Sequence, residues 1–423
     1  MTQRGSDQDA QVGRIFDALK VTPERFLDFQ QSVGREPIFT VADRIDPNLV
    51  RPSHIPWPFT WWLWRINLDT IDQGLRKALD PKSVGYCYMM KRKGKLVYLR
   101  SSGWAQLPND GSVGWGFHVP MNVASVSKFV TAVATVRLLR ESNISLKRPI
   151  AGFLPQYWPT GPGVDLITFH DLVRHESGLG SLLNFGGPPS SNPGPGDFAT
   201  AKNQIYLGNL GTGTYDYKNI NFTILRVLFA TVTGTLDPGF NGGTLSPAIS
   251  NDTFWDFASA MAYCNYVNDN VFAAADIAPR EFKADDIAAK AYGTPPMAPG
   301  WRAEDDIAFA GERGWNLSIG ELTRLLGEFR RGGSIMSPWW AERLLSNAYG
   351  LAQYPIATSA GPVYTKGGRL FALGQTMDSA IFLMPNDIEF AIFVNSGKGT
   401  TETAPGYLDD IPKLIQDSVE LNF

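Results

Sequence analysis

Ser125 and Lys128 stand three apart at the head of an apolar run, NVASVSKFVTAVATVRLLRE, residues 122–141. On a helix, positions i and i+3 share a face, so the Lys128 amine can reach the Ser125 hydroxyl without help from a distant segment. A serine hydroxyl is a poor nucleophile at neutral pH and needs an adjacent base. Lysine can be that base only where burial or another cation lowers its pKa. Phe129, Val130, Ala132, Val133, Val136, Leu138 and Leu139 promise such a buried setting. A serine in the first helical turn also holds its own N–H at the positive end of the helix, where a developing oxyanion is stabilised. Alone, S-x-x-K is common, and the pair reads equally as a helix N-cap followed by a solvated lysine.

Three further stretches join it. Tyr217-Lys218-Asn219 opens a second apolar helix, Lys366-Gly367-Gly368 follows a strand-like run, and Arg174-His175-Glu176-Ser177-Gly178-Leu179 ends a short helix in a tight turn. In order and spacing these resemble the serine β-lactamase and penicillin-binding protein superfamily. Within it they look most like the branch of class C β-lactamases, DD-peptidases and carboxylesterases. That branch carries S-x-x-K, then Y-x-N, then K-T-G or a variant such as x-G-G. RHESGL is similar to the family's H-T-S-G-L turn, FLMPNDIEFAIFVNS to its penultimate strand pair, and SIGELTRLLGEFRRGGSIMS to the helix before the third motif. The resemblance covers residues 68–423 and leaves the first 65 unexplained.

The resemblance implies roles. Ser125 is the acylated nucleophile, and Lys128 shares in activating it. Tyr217 is the general base or its relay, its phenol acidified by Lys128 and Lys366; which of Lys128 and Tyr217 removes the proton stays open. Asn219 orients substrate or lysine. The N–H groups of Ser125 and Arg369, the latter just after Lys366-Gly367-Gly368, form the oxyanion hole. Lys366 adds positive charge for the tyrosine or for a substrate carboxylate. No cofactor and no metal are implied. Out of context, Asn219 reads as an N-cap and Gly367-Gly368 as a hairpin turn. His175 reads as a turn residue. His170 and His175 are five apart, off the face a helical metal pair needs, and His54 and His118 belong to no ligand set. The chain has no G-x-S-x-G elbow.

One departure bears on substrate. The third motif is K-G-G, and Gly367 lacks the hydroxyl that bonds a carboxylate on a β-lactam or peptide C-terminus. This favours an ester or small amide, although Lys366 keeps a carboxylate partner available. The expected function is a serine acyl hydrolase working through an acyl-enzyme on Ser125, first of all a carboxylesterase on small or apolar esters. The alternatives are an amidase, D-amino-acid peptidase, β-lactamase or acyltransferase of the same fold, or a slow-deacylating penicillin-binding protein.

The totals bound the rest. The 423 residues suffice for substantial cores, and 43% hydrophobic with 19% charged residues is ordinary for a globular chain. A net charge of −3 gives no basic field for nucleic acid. Cys87 and Cys264 have no disulfide or zinc spacing. The polar N-terminus lacks the apolar core of a secretory signal, and no run approaches a membrane span. A cytoplasmic protein acting on a small molecule is the expectation. The aromatic run at 57–66, WPFTWWLWRI, reads as a buried patch or a cleft wall before it reads as a membrane-interface segment.

To position the motifs, the pattern predicts helices over 9–20, 22–34, 67–80, 122–141, 167–174, 219–233, 251–290, 318–331 and 407–421. It predicts strands over 83–91, 95–101, 363–366, 371–376, 379–384 and 389–395, a strand or loop at 113–119, and an aperiodic loop at 181–214. Strands at both ends with helices between give an α+β expectation: an antiparallel sheet flanked by helices, with a mainly helical inserted subdomain. With the resemblance, the fold is β-lactamase/transpeptidase-like. The expected division is an extension over 1–65, an α/β subdomain from 66–144 and 301–423, and a helical subdomain over 145–300.

Overall fold

A computed structural model describes residues 13–22, 25–26, 28–29, 39–40, 64–80, 82–180, 196–209, 211–241, 250–399, 401 and 404–421. The strands, in chain order, are β1 (Phe39–Thr40), β2 (Trp64–Ile66), β3 (Gly85–Arg92), β4 (Lys95–Gln106), β5 (Val113–Gly114) and β6 (Pro120–Asn122). Near the C-terminus come β7 (Asn316–Ser318), β8 (Ile356–Thr358), β9 (Gly361–Ala372), β10 (Gln375–Met384), β11 (Ile388–Val394) and β12 (Val419–Leu421). The main sheet runs β1-β9-β10-β11-β3-β4-β5, and β8 also pairs with β9. Its centre joins distant parts of the chain antiparallel, with Ile392 opposite Tyr88 and Phe393 opposite Cys87.

Successive strand residues point to opposite faces. Cys87, Met89, Ile381, Leu383, Ala391 and Phe393 enter the larger core, and Tyr86, Tyr88, Met90, Phe382, Phe390 and Ile392 enter the smaller one. Both faces are covered, which is why these strands read as near-continuous apolar runs. Helix α1 (Leu68–Leu79) lies on the smaller core. Asn67 starts it by accepting from the N–H groups of Asp69 and Thr70, and Leu68, Ile71, Leu75 and Leu79 are buried along one stripe. The larger core holds α2 (Ser127–Glu141), which is buried almost all round, α3 (Phe169–Val173), α4 (Phe198–Leu207), α5 (Ile220–Val232), α6 (Asn251–Val267), α7 (Ile319–Gly327) and α8 (Pro338–Ser346). Helix α9 (Ile411–Asp417) packs beside α1. Side chains set several of these starts: Thr168 and Asp171 form a capping box for α3, and Ser318 and Glu321 form one for α7.

This is the expected α+β architecture, with differences in detail. The two strands expected at 363–366 and 371–376 are one, β9, and Gly367-Gly368 lies within it opposite Ala380 and Ser379. The turn falls at Leu373-Gly374. Met377-Asp378 is likewise inside β10 rather than a break, since Asp378 is held by Arg369 directly across the ladder. The predicted helix over 251–290 ends regularly at Val267, continues as a π turn over Asn268–Phe272 and a 3-10 turn over Ala273–Ala275, and is irregular beyond. The C-terminal helix stops at Asp417 because the next residues pair with β2 as β12. Within the expected loop, Asp197 caps α4, and Phe198, Ala201 and Ile205 bury one face. Residues 57–63, 181–195 and most of 22–34 lie outside the described residues.

The N-terminal stretch reaches the body of the molecule. Leu19, Phe26 and Phe29 are buried, and the Phe26 and Phe29 rings lie 5.1 and 5.3 Å from Phe257 of α6. Among the described residues, no helix is long and apolar enough to cross a membrane.

Candidate active site

Ser125 sits in a 3-10 turn, Ala124–Val126, immediately ahead of α2 rather than in its first α turn. Three neighbours fix that turn. The Ala124 N–H donates to Asn122 Oδ1 at 2.9 Å, the Val123 N–H to the Trp315 carbonyl at 2.9 Å, and Ser379 Oγ to the Val123 carbonyl at 2.7 Å. Ala124 is held at a φ of 48°, a left-handed conformation that costs an L-residue energy and persists only when surroundings impose it.

Around the fully buried Ser125 hydroxyl, Lys128 Nζ lies 3.1 Å and Tyr217 OH 2.9 Å from Oγ. Lys128 also donates to the Glu312 carbonyl at 2.9 Å, and Lys366 Nζ lies 3.3 Å from the Tyr217 hydroxyl. The two ammonium groups stand 5.3 and 4.5 Å from the tyrosine ring centre. Two cations stand where they could stabilise a phenolate as it forms, so proton transfer from serine is geometrically available.

The third motif comes in along β9. A Cβ on Gly368 would fall 2.8 Å from the Ser125 nitrogen and 2.6 Å from the Val123 carbonyl, so only glycine lets the strand approach this closely. The Arg369 guanidinium is tied to both oxygens of Asp378 at 2.6 and 3.0 Å and to the Ala404 carbonyl. Asn219 is buried at the head of α5 but makes no side-chain cap there, contrary to the plain N-cap reading. The structure therefore brings Ser125, Lys128, Tyr217 and Lys366 into one hydrogen-bonded group, and β9 carries Gly367, Gly368 and Arg369 past it.

The family model described as Beta-lactamase matches residues 75–404. The chain belongs to the β-lactamase family. Esterase EstB of Burkholderia gladioli is 32% identical over 121 residues, covering 27% of this chain and 29% of the esterase, so the match takes in under a third of that relative's length. Among solved structures, FmtA from Staphylococcus aureus shares the fold with a TM-score of 0.59 at 15% identity, over 94% of this chain and 96% of its own. A β-lactamase/D-alanine carboxypeptidase from Yersinia pestis does so with a TM-score of 0.57 at 16% identity, over 83% and 97%.

Other residues of this β-lactamase-family site have structural work. His175 is buried with a φ of 58°, its Nδ1 lies 3.1 Å from the Lys218 carbonyl, and its ring is 4.4 Å from that of Tyr217. Burial, with Lys366 and Lys128 close by, holds this imidazole well below its ordinary value, so it is neutral and props the Tyr217-Lys218 segment. Ligand-type atoms of His170, Asp171 and Glu176 lie within 4.8 Å of one another. Asp171 is the capping partner of Thr168 and Glu176 is paired with Arg174 at 2.7 Å, which accounts for both carboxylates. Both cysteines are free and buried. Sequence reasoning missed Glu312 and Arg313, both buried behind Lys128. Neither belongs to a motif, and no periodicity marks them.

Proposed function

We propose that this enzyme is a carboxylesterase that hydrolyses small or apolar esters through an acyl-enzyme on Ser125. The observation that carries the reading is the placement of Lys128 Nζ and Tyr217 OH at 3.1 and 2.9 Å from one serine oxygen. In acylation, Ser125 Oγ attacks the ester carbonyl while its proton passes to the Lys128–Tyr217 pair. The carbonyl oxygen gains negative charge between the N–H groups of Ser125 and Arg369. The C–O bond to the alcohol then breaks, and the pair returns the proton to the leaving alkoxide. Water repeats the sequence on the acyl-enzyme and frees the acid. Lys366 keeps its positive charge beside the phenol throughout, and Asn219 orients the substrate.

The preference for esters over β-lactams rests on Gly367, which offers no hydroxyl to a substrate carboxylate, and on the likeness to an esterase. Lys366 favours a second reading, a small amide bearing a carboxylate, and a D-amino acid amidase from Ochrobactrum anthropi is among the proteins that share the fold. Turnover of p-nitrophenyl acetate and butyrate beside nitrocefin, in wild type and Ser125→Ala, tests the ester reading and its nucleophile. Ester hydrolysis with little nitrocefin cleavage, lost by at least about 10³-fold in the variant, is the expected result. Ester activity that survives Ser125→Ala removes the nucleophile assignment. Fast nitrocefin cleavage makes the enzyme a β-lactamase.

A further inference from the structure

The mechanism above leaves one buried acid unused. Glu312 is fully buried, and its backbone carbonyl already holds Lys128 Nζ at 2.9 Å. Among the described residues, neither of its carboxyl oxygens has a hydrogen-bond partner. Arg313 Nη1 is 3.8 Å from Oε1, too far for a hydrogen bond. That guanidinium also lies 3.6 Å from Asp306 Oδ2, which accepts from Asn122 at 2.7 Å. On the other side the carboxyl packs on Gly196, where a Cβ would collide with both of its oxygens. A buried acid without hydrogen bonds is costly and persists where a neighbouring charge offsets it.

The charged groups that face it come from three elements: Lys128 on α2, Arg313 and Asp306 on the connector before β7, and Asp197 at the head of α4. Burial pushes the carboxyl above its ordinary value, while Lys128 and then Arg313 pull it back. Lys128 touches the serine on one side and the Glu312 carbonyl on the other, while the Glu312 carboxyl neighbours Arg313, which in turn neighbours Asp306.

We propose that Glu312 is a positioning residue for acylation: its carboxylate holds Lys128 as the ammonium, so that Tyr217, flanked by two cations, is left to take the Ser125 proton. The inference rests on Ser125 being the nucleophile. It has a definite electrostatic consequence. Removing one negative charge makes the coupled Lys128–Tyr217–Lys366 set release its first proton at lower pH, whichever member loses it. A neighbouring unit charge removed from a buried set shifts that step by on the order of one pH unit.

The test uses the full chain. The pH profile of kcat/KM for p-nitrophenyl butyrate is measured from pH 5 to 10 for wild type and Glu312→Gln. In parallel, the rate at which diisopropyl fluorophosphate labels Ser125, with loss of fluoride, is followed by mass. The rising limb of both profiles is expected about one unit lower in the variant, with near-ultraviolet circular dichroism unchanged. Limbs that coincide overturn the proposal, because the carboxyl is then neutral or uncoupled from Lys128. Glu312→Ala removes the same charge without burying an amide, and gives the same reading if the glutamine chain does not fold. Failure of the wild type to label at Ser125 defeats the acyl-enzyme reading itself, a result distinct from coincident limbs.

Discussion

Gly368 leaves no room for a side chain, since a methyl group there would press on the Ser125 nitrogen and the Val123 carbonyl. Gly368→Ala must therefore push β9 away from the nucleophile turn and widen the oxyanion hole. Its kcat for p-nitrophenyl butyrate should fall by about 10²-fold or more, since a donor misplaced by an ångström loses most of its value. The strand is paired along its length with β10, so it should still form and circular dichroism should match wild type. His175 gives a pH prediction. Its folded pKa lies below the unfolded value, so as pH drops through about 6.5 the unfolded chain takes a proton that the folded chain refuses. Its contribution to stability is complete above that pH and is lost below it, by up to about 1.4 kcal/mol per pH unit. Urea midpoints at pH 7.5, 6 and 5 should decline less steeply in His175→Gln than in wild type. At this scale, Ser125, Lys128, Tyr217 and Lys366 were legible because each belongs to a short spaced motif. Glu312 was not, because it reaches Lys128 across 184 residues and a lone glutamate looks like any solvated one.

At the scale of elements, periodicity located α1, α2, α5, α7 and the β3–β4 hairpin to within a few residues. It erred where a local break signal lost to tertiary pairing. Gly367-Gly368 and Met377-Asp378 look like turns, yet the β9–β10 ladder runs straight through them. The opposite error came at α4, where glycine- and proline-rich neighbours hid an eight-residue apolar face set by the Asp197 cap. The N-terminal stretch is the element with the clearest energetic role. Phe29 is fully buried against Phe257, so Phe29→Ala should cost about 3–5 kcal/mol of unfolding free energy in urea titration. Ester turnover at 20 °C should change little, because neither Phe29 nor Phe257 contacts Ser125, Lys128, Tyr217 or Lys366 among the described interactions. An equal loss of activity and stability would mean that the stretch also shapes the cleft.

For the whole molecule, two cores lie either side of one sheet whose central pair, β3 and β11, comes from opposite ends of the chain. The serine turn, on the larger-core side, is anchored at once to β10 through Ser379, to the residue before β7 through Trp315, and to β6 through Asn122. Loss of β6, Trp315 or β10 would each release the turn. That α+β arrangement was foreseeable from strands at both ends with helices between, whereas the sheet order was not, since antiparallel runs of equal apolarity do not name their neighbours.

The same central pairing governs how the protein comes off the ribosome. Tyr88 and its partner Ile392 are about 300 residues apart. At ordinary synthesis rates β3 waits roughly 15–60 s for β11 to be made. Through that interval the β3–β4 hairpin has one edge open and apolar faces uncovered, which makes the nascent chain a natural client of chaperones. Ser125 and Lys128 are likewise translated long before Lys366 and the glycines of β9. On the proposed reading, an unfinished chain carries the nucleophile without its activating surroundings, and turnover waits for the last strands to close the sheet.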